Sequence, residues 1–232
     1  MNIQILQGFE GAEQATGLAV IIDVFRAFSF ACYAVNNGAK RVYPIDKIET
    51  VNEMSQKISD SIRCGERHEK KVPEFDFGNS PTHILEENFE GKTILHTTSS
   101  GTQGIFLSKN ADERITGSFV NAEAIIKYIK QKNPETLSLV CMGYEGLKEA
   151  DEDTFFAEYI KGRLLGETPS FEEMVEKLRV GSGKRLLDPA KQSFSPRMDF
   201  DLCLSLNRFP FVLKVEQDEF GFYLKRVDIE SK

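Results

Sequence analysis

Residues 18–22 form a short apolar run, LAVII, that is rich in β-branched side chains and stops at Asp23. Such a run is typical of a strand that is covered on both faces in a parallel sheet. The apolar positions from Phe28 to Val35 then recur at helical spacing and end at Asn37-Gly38, a helix stop. The order of strand, loop and helix predicts a chain built from alternating strands and helices.

The same alternation continues along most of the chain. Further strands are predicted at residues 41–45, 61–64, 92–96, 115–120 and 137–142. Further helices are predicted at residues 48–58, 121–132, 151–165, 171–180 and 199–206. Asn121 is the predicted cap of its helix, and the linked strand–helix–strand units predict parallel pairing with right-handed crossovers.

Two alternating runs, residues 211–216 and 220–227, predict an antiparallel hairpin at a sheet edge. The predicted fold class is therefore α/β, with three α/β/α layers, a largely parallel (mixed) sheet and a C-terminal β-hairpin. The length predicts one domain over residues 1–232, with room for a small helical insertion at about residues 166–196.

The charge balance restricts the partners. The chain has 36 acidic and 29 basic residues, a formal net charge of −7, and no long run of Lys or Arg. This balance argues against nucleic acid as a partner. An acidic ligand could bind only where positive charge is locally concentrated or a metal ion is held.

The four cysteines are scattered without a C-x-x-C pair, which predicts buried free thiols of a reducing compartment. No leader segment is recognised, and no apolar stretch approaches the roughly 20 residues of a membrane span. We therefore expect a cytoplasmic protein that binds no membrane.

Polar side chains follow the predicted strands, and in open α/β sheets ligands bind beyond the carboxyl ends of strands. Asp23 is the first of them and has two interpretations: a cap of the next helix, or an active-site carboxylate whose burial is offset by a partner or a metal. Arg26 favours the second, because a guanidinium binds phosphate oxygens bidentately. Alternatively, Asp23 and Arg26 pair with each other.

The later strand ends add further candidates. Glu66 and Asp76 are hard oxygen ligands suited to Mg²⁺, and Arg67 is a second candidate clamp for an anion. Residues 78–81, GNSP, form a turn that becomes functional only if it faces the site. The loop at 97–102, TTSSGT, lets backbone N–H groups point at an anion, although such loops also serve as ordinary helix caps. The candidate substrate-binding residues are Asn79, Ser80, Thr98, Ser99, Ser100, Gly101 and Thr102.

Several other features of the sequence are interpreted as having no role in the site. Residues 181–185, GSGKR, follow a helix rather than a strand and are interpreted as a helix stop and surface loop. Lys70 and Lys71 are interpreted as part of a solvated loop. The three histidines lack metal-ligand spacing, which argues against zinc, and no G-x-S-x-G elbow is present.

Taken together, these segments resemble the 2-phosphosulfolactate phosphatases, which take part in coenzyme M biosynthesis. The resemblance is carried by DVFRA at 23–27, GER at 65–67, FDFGNSP at 75–81, the 97–102 loop, and Glu152-Asp153 opening a helix. It implies a Mg²⁺-dependent phosphatase acting on a small acidic hydroxy-acid phosphate, a three-layer α/β fold and a homo-oligomer. One departure is Ser99-Ser100-Gly101-Thr102, where the family commonly has Thr-Asn-Gly-Thr.

Under this interpretation Mg²⁺ lies among Asp23, Glu66, Asp76 and Asp153, or a subset of them. Arg26, Arg67 and the 98–102 loop would hold the phosphate. Either a water or Asp23 attacks phosphorus; we favour Asp23 as a metal ligand, because haloacid-dehalogenase phosphatases need a second Asp where this chain has Phe25.

Two rival interpretations stay open. One is a phosphatase for another phosphorylated hydroxy acid, and the other is a non-catalytic binder of an anionic metabolite on the same fold.

Overall fold

The computed structural model describes residues 1–229. Its strands are β1 (Asn2–Gln7), β2 (Gly17–Ile22), β3 (Arg41–Pro44), β4 (Ser61–Arg67), β5 (Lys70–Lys71), β6 (Thr93–Thr97), β7 (Ala111–Gly117), β8 (Thr136–Cys141), β9 (Phe211–Asp218) and β10 (Gly221–Asp228). Its α-helices are α1 (Gly8–Gln14), α2 (Ala27–Asn36), α3 (Ile48–Lys57), α4 (Pro81–Ile84), α5 (Gly101–Leu107), α6 (Ala122–Lys132), α7 (Asp151–Leu165), α8 (Phe171–Val180) and α9 (Met198–Cys203). Short 3₁₀ helices lie at Phe119–Asn121, Ser182–Leu186 and Pro189–Lys191.

These strands form one mixed sheet in the order β1-β8-β2-β7-β9-β10-β3-β6-β4-β5. One parallel block contains β1, β8, β2 and β7, and a second contains β3, β6 and β4. The hairpin β9–β10 joins the two blocks through antiparallel pairs. The α/β class, the mixed sheet and the C-terminal hairpin are confirmed.

The predicted place of the hairpin at a sheet edge is wrong, because it lies in the middle of the sheet. The physical reason is burial on both faces. Phe211, Val212 and Leu213 are all fully buried, and Val212 packs in a different apolar cluster from its two neighbours. A strand covered on both sides is typical of the interior of a sheet.

The helices connect strands either within one block or between the two blocks. The units around α3 and α6 are parallel as predicted, since β3 and β4 flank β6 while β7 and β8 flank β2. The α2 unit differs from the prediction, because β2 and β3 lie in different blocks. Helix α2 therefore crosses between the blocks, and residues 27–35 are all buried.

Strand β2 explains the apolar run that opened the sequence. Ala19 and Ile21 pack in the cluster that contains α2, whereas Leu18, Val20 and Ile22 pack in the cluster of α6 and α7. Alternate side chains of a strand point to opposite faces, so an unbroken apolar run is needed to cover both. This arrangement gives helix, sheet and helix layers, with Asp23 at the end of a rigid central strand.

Some local predictions need correction. β7 begins at Ala111 rather than residue 115, and β1, α1 and β5 were not predicted. Asn121 makes no side-chain cap; its amide donates to the carbonyl of Phe211 instead. The region 166–196 contains α8 and two 3₁₀ helices, and its separation as an insertion stays a prediction.

The four cysteines are free and buried, as predicted. None of the helices within residues 1–229 has the length and apolar character needed to cross a bilayer.

Candidate active site

A cavity of about 40 Å³ lies where the carboxyl ends of β2, β4, β6 and β8 meet. The predicted site residues that line it are Asp23, Arg26, Glu66, Asn79, Ser99 and Ser100. The other lining residues are Phe25, His68, Glu69, Gly143, Tyr144, Glu145 and Arg185.

Asp23 is buried at the floor of this cavity and is held by backbone donors. Its Oδ1 accepts from the N–H of Ala27 at 3.0 Å, and its Oδ2 accepts from the N–H of Gly101 at 2.9 Å. Asp23 thus caps the first turns of α2 and α5, which confirms the cap interpretation; it also faces the cavity, and its role as an active-site carboxylate stays a prediction. A Cβ at position 101 would lie 2.7 Å from Oδ2, which is why this approach requires glycine.

Burial is the largest cause that raises the pKa of Asp23 to about 6; the hydrogen bond from the N–H of Ala27 lowers this pKa, and the nearby charge of Glu66 contributes to the rise. A cation beside Asp23 would offset the free-energy cost of its ionised form in this buried position.

Glu66 is held in the same manner from the opposite block of the sheet. Its Oε1 accepts from the N–H of Ser99 at 2.7 Å, and its Oε2 accepts from the N–H of Glu69 at 2.8 Å. The backbone donors of the 97–102 loop therefore bind the protein's own carboxylates, whereas the sequence predicted that they face a free anion. The loop positions Asp23 and Glu66 rigidly.

The remaining residues of this loop have structural contacts. The hydroxyl of Ser100 lies 3.0 Å and 2.8 Å from the carbonyls of Met142 and Gly143. The Thr98 N–H donates to Oγ1 of Thr102, and the Thr102 N–H donates to Oγ1 of Thr98. Thr98, Gly101 and Thr102 therefore support the site from behind rather than lining the cavity.

Arg26 lines the cavity and is 3% exposed. Its Nη1 donates to Oδ2 of Asp199 at 2.7 Å and to the carbonyl of Phe194 at 3.1 Å, and its Nη2 donates to the carbonyl of Glu69 at 3.2 Å. The alternative in which Arg26 pairs with Asp23 is wrong. Asp199 is its ionic partner.

Asp199 is fully buried and was not identified from the sequence. Its Oδ1 accepts from the hydroxyl of Ser80 at 2.8 Å and from both the N–H and the hydroxyl of Thr82. Ser80 therefore positions Asp199, and through it Arg26, rather than facing the cavity.

Arg67, a predicted anion clamp, does not reach the cavity. Its guanidinium donates to the carbonyls of Glu66 and Asp46 and to the hydroxyl of Thr97. The reason is that β4 continues through Arg67, and successive side chains of a strand point to opposite faces. Glu66 and Arg67 cannot both face the same cavity.

Asp76 and Asp153, predicted as metal ligands, also have other contacts. Asp76 has a side chain that is 43% exposed, and it accepts from the N–H of Arg63. Asp153 is buried, and its two oxygens accept from the N–H groups of Val24 and Gly143, each at 2.8 Å. Burial and the charge of Asp23 raise the pKa of Asp153 well above its ordinary value. Neither carboxylate lines the cavity.

Arg185 lines the cavity although the sequence placed it in a surface loop. Its Nη1 donates to Oε1 of Glu69 at 2.8 Å, and its Nη2 donates to Oε1 of Glu152 at 2.8 Å and to the carbonyl of Phe25 at 3.0 Å. The sequence feature that could have pointed to Arg185 is charge. The acidic residues at the ends of the predicted strands require more positive charge than Arg26 alone supplies.

Asn79 reaches the cavity and is held by His96. Oδ1 of Asn79 lies 2.9 Å from Nε2 of His96, whose ring packs against Phe30 with 4.8 Å between centroids. Burial lowers the pKa of His96 to about 3, with a smaller lowering effect from the charge of Arg67. His96 is therefore neutral near pH 7.

This pKa predicts a pH dependence of stability. Between pH 6.5 and about pH 3 the unfolded chain binds a proton on His96 that the folded protein does not, so stability falls as pH falls through this range. The slope is about 1.4 kcal/mol per pH unit. In His96→Gln the Gln side chain keeps an amide donor for Asn79. We expect the free energy of unfolding to fall by about 2 kcal/mol less in this variant than in the wild type between pH 6.5 and pH 5. Urea unfolding at both pH values measures the difference, and parallel losses in the two proteins would contradict it.

The cavity offers few carboxylates to a metal ion. Among residues 1–229, no three His, Cys, Asp or Glu side chains are grouped so as to hold a metal ion. Mg²⁺, however, is commonly held by one or two carboxylates, waters and substrate phosphate. Asp23 and Glu66 supply two carboxylates, and within the described part of the chain Oε2 of Glu152 is buried without a hydrogen-bond partner. These residues fit a Mg²⁺ site. Of the four carboxylates predicted as ligands, however, only those of Asp23 and Glu66 line the cavity.

The sequence profile of the 2-phosphosulpholactate phosphatase family matches residues 5–218. The chain belongs to this family. The predicted resemblance is confirmed, and it places the protein among the phosphoric monoester hydrolases.

Several relatives carry the name "Probable 2-phosphosulfolactate phosphatase", and three of them illustrate the similarity. The protein of Caldanaerobacter subterraneus subsp. tengcongensis is 32% identical over 85% of this chain and 87% of its own length. That of Thermotoga maritima is 40% identical over 63% of this chain and 62% of its own length. That of Clostridium beijerinckii is 36% identical over 64% of this chain and 62% of its own length.

Proposed function

We propose that this protein is a Mg²⁺-dependent phosphatase that converts 2-phosphosulfolactate to sulfolactate and phosphate. Family membership and the names of the relatives support the substrate. The observation that carries the proposal is the meeting of two rigidly held carboxylates, Asp23 and Glu66, with Arg26 and Arg185 in one cavity at the carboxyl ends of the strands.

In this proposal Asp23 and Glu66 hold the ion, which when bound neutralises charge on the phosphoryl oxygens. Arg26 supplies a guanidinium whose orientation is fixed by Asp199 before substrate arrives. The backbone bonds from Ala27, Gly101 and Ser99 fix both carboxylates, so little reorganisation accompanies the reaction.

We further propose that Asp23 is a metal ligand and that a water attacks phosphorus. Support comes from the two backbone N–H groups that Asp23 accepts, one on each oxygen, which fix the plane of its carboxylate. Rapid acid quench followed by mass spectrometry of the peptide that contains Asp23 tests this role. A phosphoryl adduct on Asp23 would identify it as the nucleophile instead.

Metal removal gives the direct test of the activity. We expect phosphate release from 2-phosphosulfolactate to disappear in EDTA and to return when Mg²⁺ is added, because two carboxylates and a phosphate ester need a cation between them. Two further esters are assayed beside it: 2-phospholactate, which lacks the sulfonate, and isopropyl phosphate, which lacks both acids. Saturable binding of 2-phosphosulfolactate without turnover would favour the non-catalytic binder. A higher kcat/KM for another phosphorylated hydroxy acid would favour the alternative substrate.

The proposal includes a homo-oligomer that serves coenzyme M biosynthesis, as the resemblance implies, and a cytoplasmic location. The four buried free thiols support a reducing compartment. Light scattering of the purified protein tests the assembly, and a monomeric mass would contradict it.

A further inference from the structure

The cavity is narrow in the absence of substrate: the space inside it is about 40 Å³, and it opens to solvent on one side. Movement of a side chain on the rim would widen it for a phosphate ester. The rim includes the turn between β4 and β5, formed by His68 and Glu69.

This turn has an unfavourable backbone. His68 and Glu69 have φ values of 53° and 68°, as in the two-residue hairpin turns that usually carry Asn-Gly. Residues with a full side chain rarely adopt this conformation. Contacts beyond the hairpin must therefore hold the turn over the cavity.

Glu69 makes those contacts through its backbone, whose N–H donates to Glu66 and whose carbonyl accepts from Arg26, and through its carboxylate, which binds two cations. Its Oε1 accepts from Nη1 of Arg185 at 2.8 Å, and its Oε2 accepts from Nζ of Lys191 at 2.6 Å. Burial works to raise the pKa of Glu69, but the hydrogen bonds from Lys191 and Arg185 outweigh it and hold the pKa below its ordinary value. A carboxylate of the protein thus lies between an arginine and a lysine at the cavity rim.

Arg185 keeps its place without Glu69. Its second terminal nitrogen donates to Oε1 of Glu152 and to the carbonyl of Phe25, and neither contact involves the β4–β5 turn. If the carboxylate of Glu69 leaves, Nη1 of Arg185 and Nζ of Lys191 both lose the acceptor that they bind in this structure. These two cationic donors suit a second anionic group, separate from the phosphate near Asp23 and Glu66.

We propose that Glu69 is an internal substitute for an acidic group of the substrate. In the closed cavity its carboxylate binds Arg185 and Lys191, and the carboxylate or sulfonate of the bound substrate replaces it there. Arg185 then determines specificity for phosphate esters that carry an additional acid. This inference rests on the proposed function for the identity of the substrate.

The test compares Glu69→Gln and Arg185→Gln on 2-phosphosulfolactate and isopropyl phosphate. Glu69→Gln weakens the closed state, so KM falls about 3- to 10-fold for both esters. Arg185→Gln removes the acid-binding group, so KM for 2-phosphosulfolactate rises roughly 10- to 100-fold. KM for isopropyl phosphate falls or is unchanged in the same variant, because its entry also requires Glu69 to move. This divergence is not expected from a purely structural role.

Arg163→Gln and Glu123→Gln are the matched controls, since they remove an ion pair of 3.0 Å that lies outside the cavity. KM within about twofold of wild type is expected for both esters in both controls. An unchanged or raised KM in a folded Glu69→Gln protein overturns the inference, as does an equal rise of KM for both esters in Arg185→Gln. If Glu69→Gln does not fold, Lys191→Gln must show the same selective rise for 2-phosphosulfolactate.

Calorimetry with sulfolactate separates this inference from the proposed function. Tighter binding of sulfolactate by Glu69→Gln and weaker binding by Arg185→Gln, in a protein without turnover, would support the inference and reject the phosphatase. Normal turnover with equal sulfolactate affinities in the three proteins would support the phosphatase and reject the inference.

Discussion

Asp23→Asn is expected to lower kcat/KM for 2-phosphosulfolactate by about 1,000-fold or more while the fold is kept. The substitution removes one of the two carboxylates proposed to hold Mg²⁺. It also places an amide group against one of the two N–H donors, Ala27 or Gly101, that bind the present oxygens. Initial rates at saturating Mg²⁺ measure the loss.

The stability of this variant reflects two opposing effects. Because the pKa of Asp23 is about 6, its ionised form lowers the stability of the folded protein by roughly 3 kcal/mol near pH 7.5, and the neutral Asn side chain removes this cost. The backbone N–H that then faces the amide group of Asn lowers the stability by about 1–3 kcal/mol. Thermal unfolding should therefore change little, so a loss of activity can be assigned to the site.

Asp76→Asn is the matched control for Asp23→Asn. Both residues were predicted metal ligands, but Asp76 is exposed and binds a backbone N–H outside the cavity. Its variant should retain activity within about threefold. Full activity in Asp23→Asn, or a large loss in Asp76→Asn, would contradict the arrangement of the site.

The helices and strands were predictable where their signals are local. The run at 18–22 and the helix Asp151–Leu165 depend on spacing and end residues that a single segment contains. The order of strands depends on pairing between distant segments. The pairing of β9 with β7 and of β10 with β3 brings the C-terminal hairpin into the middle of the sheet, and no local pattern specifies that.

The site was predictable to the same extent. Asp23 and Glu66 follow from their positions at the ends of strands. Arg67 was misplaced because the length of β4 decides which of two neighbouring side chains faces the cavity. Arg185 comes from a segment roughly 160 residues after Asp23, and only tertiary packing brings it to the cavity.

Asp199→Ala should give a large loss of stability, about 3–5 kcal/mol. Asp199 is fully buried and is the ionic partner of Arg26, so its removal leaves a buried guanidinium without a counter-charge. The hydroxyls of Ser80 and Thr82 lose their acceptor as well. Urea unfolding measures the change. Asp60→Ala is the control, because Asp60 forms an exposed pair with Lys92 and its removal should cost less than about 1 kcal/mol.

A double variant separates the stability role of this pair from its role in the site. Combining Asp199→Ala with Arg26→Leu removes both buried charges, and replacement of a buried ion pair by apolar groups is often neutral for stability. We expect the double variant to be at least about 1 kcal/mol more stable than Asp199→Ala alone. The double variant should lack phosphatase activity, because Arg26 lines the cavity. Equal instability in the two proteins would show that the hydrogen bonds to Ser80 and Thr82, rather than the charge of Arg26, make Asp199 necessary.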